Sequence, residues 1–164
     1  MTVADATPLI ALARIGAFSL LRQLFGSLLI PPGVFDDVVT RGRNRPGAAE
    51  VEAGMRVGWI LVESPCSLLL PPHSGMHRGE VEALSLAAAR HLGILMDEGP
   101  GRRRTVAEGI PLVGTLDVVR LARATGLIDA VRPLLDALRR EGFHMDDELY
   151  ARVLDRAGEP AGPC

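Results

Sequence analysis

One local pattern recurs along the chain: an amphipathic helix, a glycine that ends it, and a short apolar strand. The clearest example is EVEALSLAAARHLGILMD at residues 80–97, where apolar residues recur at helical spacing, Gly93 ends the helix and Ile94 begins a strand. Strands that are apolar on both faces and alternate with helices are typical of a parallel sheet covered on both sides. The pattern therefore predicts an α/β fold of three layers, α/β/α, with a central parallel sheet.

The same pattern predicts the positions of the helices and strands and the extent of the domain. Strands are expected near residues 2–5, 27–30, 59–63, 94–97 and 110–113. Helices are expected near residues 8–15, 17–25, 32–40, 47–57, 79–91, 101–108, 115–125, 129–140 and 146–157. We expect one domain over residues 1–157, in which 129–157 form a C-terminal helical pair, followed by a flexible tail at 158–164.

Charge and cysteine content exclude several classes of protein. The net charge of −2 is not the basic balance typical of a nucleic-acid-binding domain, so any such binding requires a local basic patch. Cys66 and Cys164 lie far apart and outside any CxxC spacing, which argues against a zinc site or a disulfide framework. No signal peptide or membrane-spanning stretch is apparent. We therefore expect a cytoplasmic protein with no membrane partner.

Acidic residues occur where the predicted strands end. Asp5 follows the first strand, and Asp97 and Glu98 follow the fourth. Because sites in open parallel sheets lie outside the carboxyl ends of the strands, Asp5 and Asp97 are expected at one edge of the sheet. Glu80 opens the helix that leads to the Asp97 strand, and Asp37 lies in the helix that follows the second strand.

Each acid also has an ordinary structural interpretation. Asp5 and Asp97 suit turns, and an acid in a first helical turn, such as Glu80 or Glu82, interacts favourably with the helix dipole. Thr7 is expected to cap the first helix, because the proline after it would then occupy the first helical position. No acid taken alone therefore indicates a site.

Taken together, the acids predict a metal site. Converging carboxylates repel one another and raise one another's pKa values, and a divalent cation removes that cost. Oxygen donors without cysteine or an evident histidine indicate a hard ion, Mg²⁺ or Mn²⁺. Such an ion commonly polarises a phosphoryl oxygen and activates a water molecule.

Two clusters of arginine flank these acids. Arg102, Arg103 and Arg104 begin a helix, where the helix dipole disfavours cations and backbone N–H groups attract anions. Arg41 and Arg45 bound a second cluster, which follows Asp37. Both clusters are candidates for contacts with phosphate groups, and solubilising surface charge is the alternative.

Several segments of the chain resemble segments of a PIN-like family and follow one another in the same order. The branch of the family that they resemble is of unknown function and is grouped with VapC-type toxins of type II toxin–antitoxin pairs. The resemblance runs from Val3 to Glu159, and its most specific parts are DATPLI and the GEVEA start of a helix. The segments that carry it are VADATPLIALARIG, LLIPPGVFDDVV, RGEVEALSLAAARHLGILMDE, GRRRTVAEGIPLVGTLDVV and GLIDAVRPLLDALRREGFHMDDELYARVLDRAGE. It implies a nuclease that hydrolyses RNA phosphodiester bonds with Mg²⁺ or Mn²⁺, a possible small antitoxin protein as partner, and a homodimer.

The resemblance also implies roles for individual residues. The catalytic acids correspond to Asp5, Asp37, Glu80 and Asp97, of which Asp5, Asp97 and Glu80 hold the metal, and the auxiliary residues correspond to Thr7, Glu82 and Glu98. Apart from the resemblance, the position of Arg102, Arg103 and Arg104 at the start of a helix makes them the candidate RNA contacts. There are three departures from the family pattern. Asp37 replaces the usual Glu, Glu98 stands where a second Asp is frequent, and Asp117 stands where a small residue is usual.

Two other functions are compatible with the sequence. The first is a catalytically inactive PIN-like module that binds protein or RNA, with the acids as relics. The second is another Mg²⁺-dependent phosphoryl-transfer enzyme, such as a small-molecule phosphatase. A DxDx(T/V) motif and a Gly-rich loop ending in Lys are both absent from the sequence, which argues against the phosphatase.

Overall fold

A five-stranded parallel sheet forms the centre of the molecule, with the strand order β3-β2-β1-β4-β5. The structure is a computed structural model that describes residues 1–70, 75–97 and 100–160, apart from the side chains of residues 100 and 102. The strands are β1 (Thr2–Ala4), β2 (Leu28–Ile30), β3 (Ile60–Val62), β4 (Ile94–Leu95) and β5 (Leu112–Val113).

Helices cover the sheet and give the three-layer α/β/α architecture that the sequence predicts. In the described residues they are α1 (Ala6–Arg14), α2 (Ser19–Phe25), α3 (Pro32–Phe35), α4 (Ala48–Val57), α5 (Arg78–Arg90), α6 (Pro100–Ala107), α7 (Thr115–Ala124), α8 (Arg132–Arg140) and α9 (Asp147–Arg156). Helix α3 continues as a π-helical turn over Asp36–Thr40. Every predicted strand and helix is present, with boundaries that differ by up to three residues.

The core consists of aliphatic side chains from the strands and from the helices on both sides. All three residues of β1 and of β2 are buried, as expected for central strands of a parallel sheet. Leu84 and Leu86 of α5 and Val118 of α7 are also almost completely buried. The described helices include none that is both long and apolar enough to cross a membrane.

The C-terminal helical pair packs on the outer helices. Helix α8 contacts α1, and α9 contacts α7. The Glu159 carboxylate accepts hydrogen bonds from the backbone N–H groups of Val131 (2.5 Å) and Arg132 (3.1 Å). Because these N–H groups lie at the start of α8, where no intrahelical acceptor exists, Glu159 connects the end of the described chain to that helix.

Strand pairing places two of the predicted site residues side by side. Strand β1 lies directly beside β4, with Ala4 opposite Leu95. The backbone N–H of Asp5 donates to the carbonyl of Leu95 at 2.9 Å. Asp5 and Asp97 therefore leave neighbouring strands at the same edge of the sheet, as the sequence predicts.

Two glycines allow α3 and α5 to approach closely. A Cβ atom on Gly33 would lie 2.9 Å from the Cα of Gly79, and a Cβ atom on Gly79 would lie 3.0 Å from Oδ2 of Asp37. Contacts between a Cβ atom and atoms of residues elsewhere in the chain are essentially never shorter than 3.0 Å, so a larger residue at Gly33 would force the two helices apart. This contact brings Asp37 close to the start of α5, where Glu80 lies.

One sequence prediction about the first helix is wrong. Helix α1 begins at Ala6, and its N-cap residue is Asp5, with extended backbone angles (φ −84°, ψ 166°). Thr7 is the second residue of the helix, and Pro8 the third. A proline within the first turn of a helix loses no intrahelical hydrogen bond, so the helix is free to start before Thr7.

Candidate active site

Among the described acids at the carboxyl edge of the sheet, Asp5 is the most deeply buried. Only 5 % of its surface is exposed, and its pKa is raised from 3.8 to about 6. Loss of hydration is the main cause, and the negative charges of Glu80 and Asp97 raise the pKa further. Interactions with the backbone N–H groups of Ala6 and Thr7 act in the opposite direction. Three acids from separate segments therefore share one electrostatic environment.

Glu80 reaches this environment from the start of α5. It is the third residue of the helix, and its Oε2 accepts a hydrogen bond from the backbone N–H of His77 at 2.9 Å. This is the carboxylate half of a capping box, an arrangement that the amino-terminal end of a helix favours. The cap explains why an acid lies in the first turn of α5, and its charge acts on Asp5 from there.

Asp97 is held by the first residue of a different helix. Its Oδ1 accepts from the backbone N–H of Thr115 at 2.7 Å, and its Oδ2 accepts from the Thr115 hydroxyl at 2.6 Å. Thr115 begins α7, the helix that follows the neighbouring strand β5. The carboxylate of Asp97 is therefore oriented through both of its oxygens.

The three acids have one physical feature in common: each lies at the amino-terminal end of a helix. Asp5 is the N-cap of α1, Glu80 lies in the first turn of α5, and Asp97 accepts from the first residue of α7. The positive ends of the helix dipoles stabilise carboxylates at such places. This arrangement offsets part of the repulsion between the three negative charges.

Asp37 lies next to Gly79 at the start of α5, in an ion pair with Arg41. It occupies the π-helical turn, and its Oδ1 accepts from Arg41 at 3.0 Å. Its Oδ2 faces Gly79, the residue before Glu80 in the chain. A shallow depression next to it is lined by Gly33, Asp36, Asp37, Arg41, His77 and Arg78.

The chemistry of the acids fits a hard divalent cation. The donors are carboxylate oxygens, and burial and like charges make the charged form of Asp5 unfavourable, a cost that a cation would relieve. Within residues 1–70, 75–97 and 100–160, no group of three or more His, Cys, Asp or Glu side chains is assembled closely enough to hold a metal ion.

Comparison with known proteins adds the family to this geometry. A family model described as a PIN domain matches residues 1–159. The chain belongs to the PIN-domain family. No curated protein and no solved structure shows significant similarity to it. PIN domains are generally nucleases that use divalent metals, so the chain has a nuclease-like fold.

The three residues predicted as auxiliary in this PIN domain have different surroundings. Glu82 is buried, and its Oε1 accepts from Arg78 at 2.6 Å while its Oε2 accepts from the backbone N–H of Gly33 at 2.7 Å. The bond from Gly33 connects α5 to the start of α3, while the bond from Arg78 lies within α5. Thr7 is exposed, and Glu98 lies outside the described residues.

The arginines predicted to bind RNA in the PIN domain differ in exposure and in whether they form ion pairs with acidic residues. Arg103 is exposed, and Arg104 forms an ion pair with Glu108 at 2.5 Å. Arg102 lies in α6, and its side chain is outside the described part of the structure. Arg41 of the second cluster pairs with Asp37.

Two residues near the acids of the PIN domain were missed by the sequence reasoning. Thr115 holds Asp97, and Arg78 lies two residues before Glu80 in contact with Asp36 and Glu82. The Gly-Thr pair that follows β5 was the available signal for Thr115, because it occurs at the carboxyl end of the strand next to β4. Asp117 has a local role, since its Oδ2 accepts from the backbone N–H of Gly114 at 3.1 Å.

Proposed function

We propose that this PIN-domain protein is a metal-dependent ribonuclease that hydrolyses RNA phosphodiester bonds. The observation that carries the proposal is the burial of Asp5 at the carboxyl end of β1, directly beside β4, the strand that Asp97 follows. The charges of Glu80 and Asp97 add to the raised pKa of Asp5. A chain that buries one carboxylate beside two others incurs a cost that a divalent cation removes. Catalytic sites are where such shifted pKa values concentrate.

The residues of the site have distinct roles in this proposal. Asp5, Asp97 and Glu80 hold Mg²⁺ or Mn²⁺, and Asp37 completes the catalytic set. When bound, the ion would polarise the phosphoryl oxygens of the RNA and lower the pKa of a water molecule. Exposed Arg103 is one candidate for contacts with the RNA backbone.

The finer biological role is also part of the proposal. The resemblance to toxins of type II toxin–antitoxin pairs supports a small antitoxin protein that blocks the acidic edge. It also supports a homodimer in the cytoplasm. The matched family covers nearly the same residues as the proposed domain, 1–157.

RNA cleavage by purified protein tests the proposal. Wild type is expected to cleave single-stranded RNA when Mn²⁺ is added and to stop when the metal is chelated. Changing a residue behind a metal ligand lowers activity by roughly 10–100-fold. Glu80→Gln and Asp97→Asn change the proposed ligands themselves, so they are expected to lower the cleavage rate by more than that. Asp129→Asn, which changes an exposed acid, is the control and should leave the rate unchanged. Equal cleavage by wild type and both variants would contradict the assignment.

A binding module without catalysis is the second candidate. The observation in its favour is that the described residues contain no group of three His, Cys, Asp or Glu side chains close enough together to hold a metal ion. In that case wild type would bind RNA or a partner protein, would not cleave RNA at any Mn²⁺ concentration, and would bind equally well with and without metal.

A further inference from the structure

Within the described residues, the hydroxyl of Thr115 donates a hydrogen bond to the carboxylate of Asp97. Thr115 is completely buried, and a buried hydroxyl group requires a partner. The distance from its Oγ1 to Oδ2 of Asp97, 2.6 Å, is in the range of a charge-assisted O–H···O⁻ bond. The backbone N–H of the same residue donates to Oδ1, so one residue holds both oxygens of one acid.

The start of α7 does not itself require this hydroxyl. Asp117 already completes the capping interaction, because its carboxylate accepts from the backbone N–H of Gly114. The packing of the core does not require it either, since Thr115 is fully buried and valine has nearly the same size and shape. The hydroxyl therefore has a function in relation to Asp97.

Gly114 leaves the space that this arrangement needs. A Cβ atom at this position would lie 3.2 Å from Oδ1 of Asp97, closer than ordinary van der Waals contact. A side chain at position 114 would therefore push against the carboxylate that Thr115 holds. The Gly-Thr pair acts as one unit on Asp97, with space from the first residue and two donors from the second.

We propose that Thr115 is a positioning residue that fixes the carboxylate of Asp97 in the orientation required to bind the metal ion. The inference rests on the proposed function, in which Asp97 is a metal ligand. Residues behind the metal ligands determine the orientation of those ligands, and changing them typically weakens metal affinity by about 10–100-fold. Thr115 itself does not touch the metal or the RNA.

The test is Mn²⁺ binding, measured by calorimetry on the full chain, together with RNA cleavage. Thr115→Val preserves the size of the side chain and the backbone donor but removes the hydroxyl, and it is expected to weaken Mn²⁺ affinity by about 10–100-fold. Thr115→Ser restores the hydroxyl and is expected to recover most of the affinity. Thr2→Val is the matched control, because it removes a buried hydroxyl that donates to the carbonyl of Gly93 at the opposite end of β1.

The control separates positioning from general loss of stability. Thr2→Val should lose stability in thermal unfolding yet bind Mn²⁺ as wild type does. If Thr115→Val, folded by circular dichroism, binds Mn²⁺ as tightly as wild type, the positioning role is overturned. The same conclusion follows if Thr115→Ser and Thr115→Val are equally weak, because the hydroxyl would then not be the group that matters.

The measurements also distinguish failure of this inference from failure of the proposed function. Wild type that binds Mn²⁺ but cleaves no RNA would contradict the ribonuclease, while weaker binding by Thr115→Val would still support the positioning role. Cleavage that requires Asp97 but is unaffected in Thr115→Val would support the ribonuclease and contradict the positioning role. Wild type that binds no Mn²⁺ would overturn both.

Discussion

Asp5→Asn is expected to make the metal-free protein more stable at pH 8 and, at the same time, to abolish metal-dependent RNA cleavage. The pKa of Asp5 is raised from 3.8 to about 6, chiefly by burial. A shift of about two units corresponds to roughly 3 kcal/mol of folding free energy that the charged form costs at pH 8. Asn removes the charge, which removes this cost, and it also removes a metal ligand.

The effect has a defined dependence on pH. Below pH 3.8 Asp5 is protonated in both the folded and the unfolded chain. Folding then buries no charge at Asp5, and the protein is at its most stable with respect to this group. As the pH rises through about 6, the folded chain loses that proton and this stability is lost. Asp5→Asn and wild type are therefore expected to be similarly stable near pH 4 and to differ by the full amount above pH 7.

Thermal unfolding in the absence and presence of Mn²⁺ measures both consequences. Without metal at pH 8, the melting temperature of Asp5→Asn should exceed that of wild type by about 6–12 °C, as roughly 3 kcal/mol predicts for a chain of this size. Mn²⁺ should raise the melting temperature of wild type but not of Asp5→Asn. Asp129→Asn, which changes an exposed acid, is the control and should behave as wild type in both conditions.

A lower melting temperature for Asp5→Asn at pH 8 would contradict this interpretation of Asp5. It would mean that the folded protein stabilises the charged carboxylate, for example through the backbone N–H groups of Ala6 and Thr7, by more than burial destabilises it. Retained RNA cleavage in the variant would contradict the role of Asp5 in catalysis.

Glu82→Ala is expected to destabilise the fold by on the order of 3 kcal/mol. The buried carboxylate accepts from the backbone N–H of Gly33 at 2.7 Å and from Arg78 at 2.6 Å. Its removal leaves the N–H of Gly33 without that acceptor in a contact that excludes larger side chains. It also removes the partner whose hydrogen bond is the main cause of the raised pKa of Arg78.

Urea unfolding of two variants at this position tests the structural role of Glu82. Glu82→Gln retains an oxygen acceptor for Gly33, so its loss of stability should be clearly smaller than that of Glu82→Ala. Glu52→Ala, which changes an exposed acid of α4, is the control and should unfold close to wild type. If Glu82→Ala were as stable as wild type but unable to cleave RNA, Glu82 would act in catalysis and not in holding α3 to α5.

Sequence periodicity was sufficient for the sheet and for the pair of acids at its edge. Apolar runs between helices predict parallel strands, and an acid directly after such a strand must lie at its carboxyl end, so the placement of Asp5 and Asp97 follows from local pattern alone. The same local information failed at the first helix, where Thr7 and Pro8 suit the cap and first-turn positions but Asp5 is the cap. Several start positions were compatible with these residue types, and local pattern did not discriminate between them.

Other features depend on contacts between segments that are distant in the sequence. Glu80 and Glu82 are two residues apart in α5, yet their partners differ. The charge of Glu80 raises the pKa of Asp5, and Glu82 accepts a hydrogen bond from Gly33. The difference arises because the start of α5 packs against α3. The role of Thr115 requires the pairing of β4 with β5, which places the start of α7 against Asp97. Local residue patterns determined which elements form and which residues end them. Only the tertiary structure decided which carboxylates meet a neighbouring charge and which meet a hydrogen-bond donor, because that depends on strand order and helix crossing.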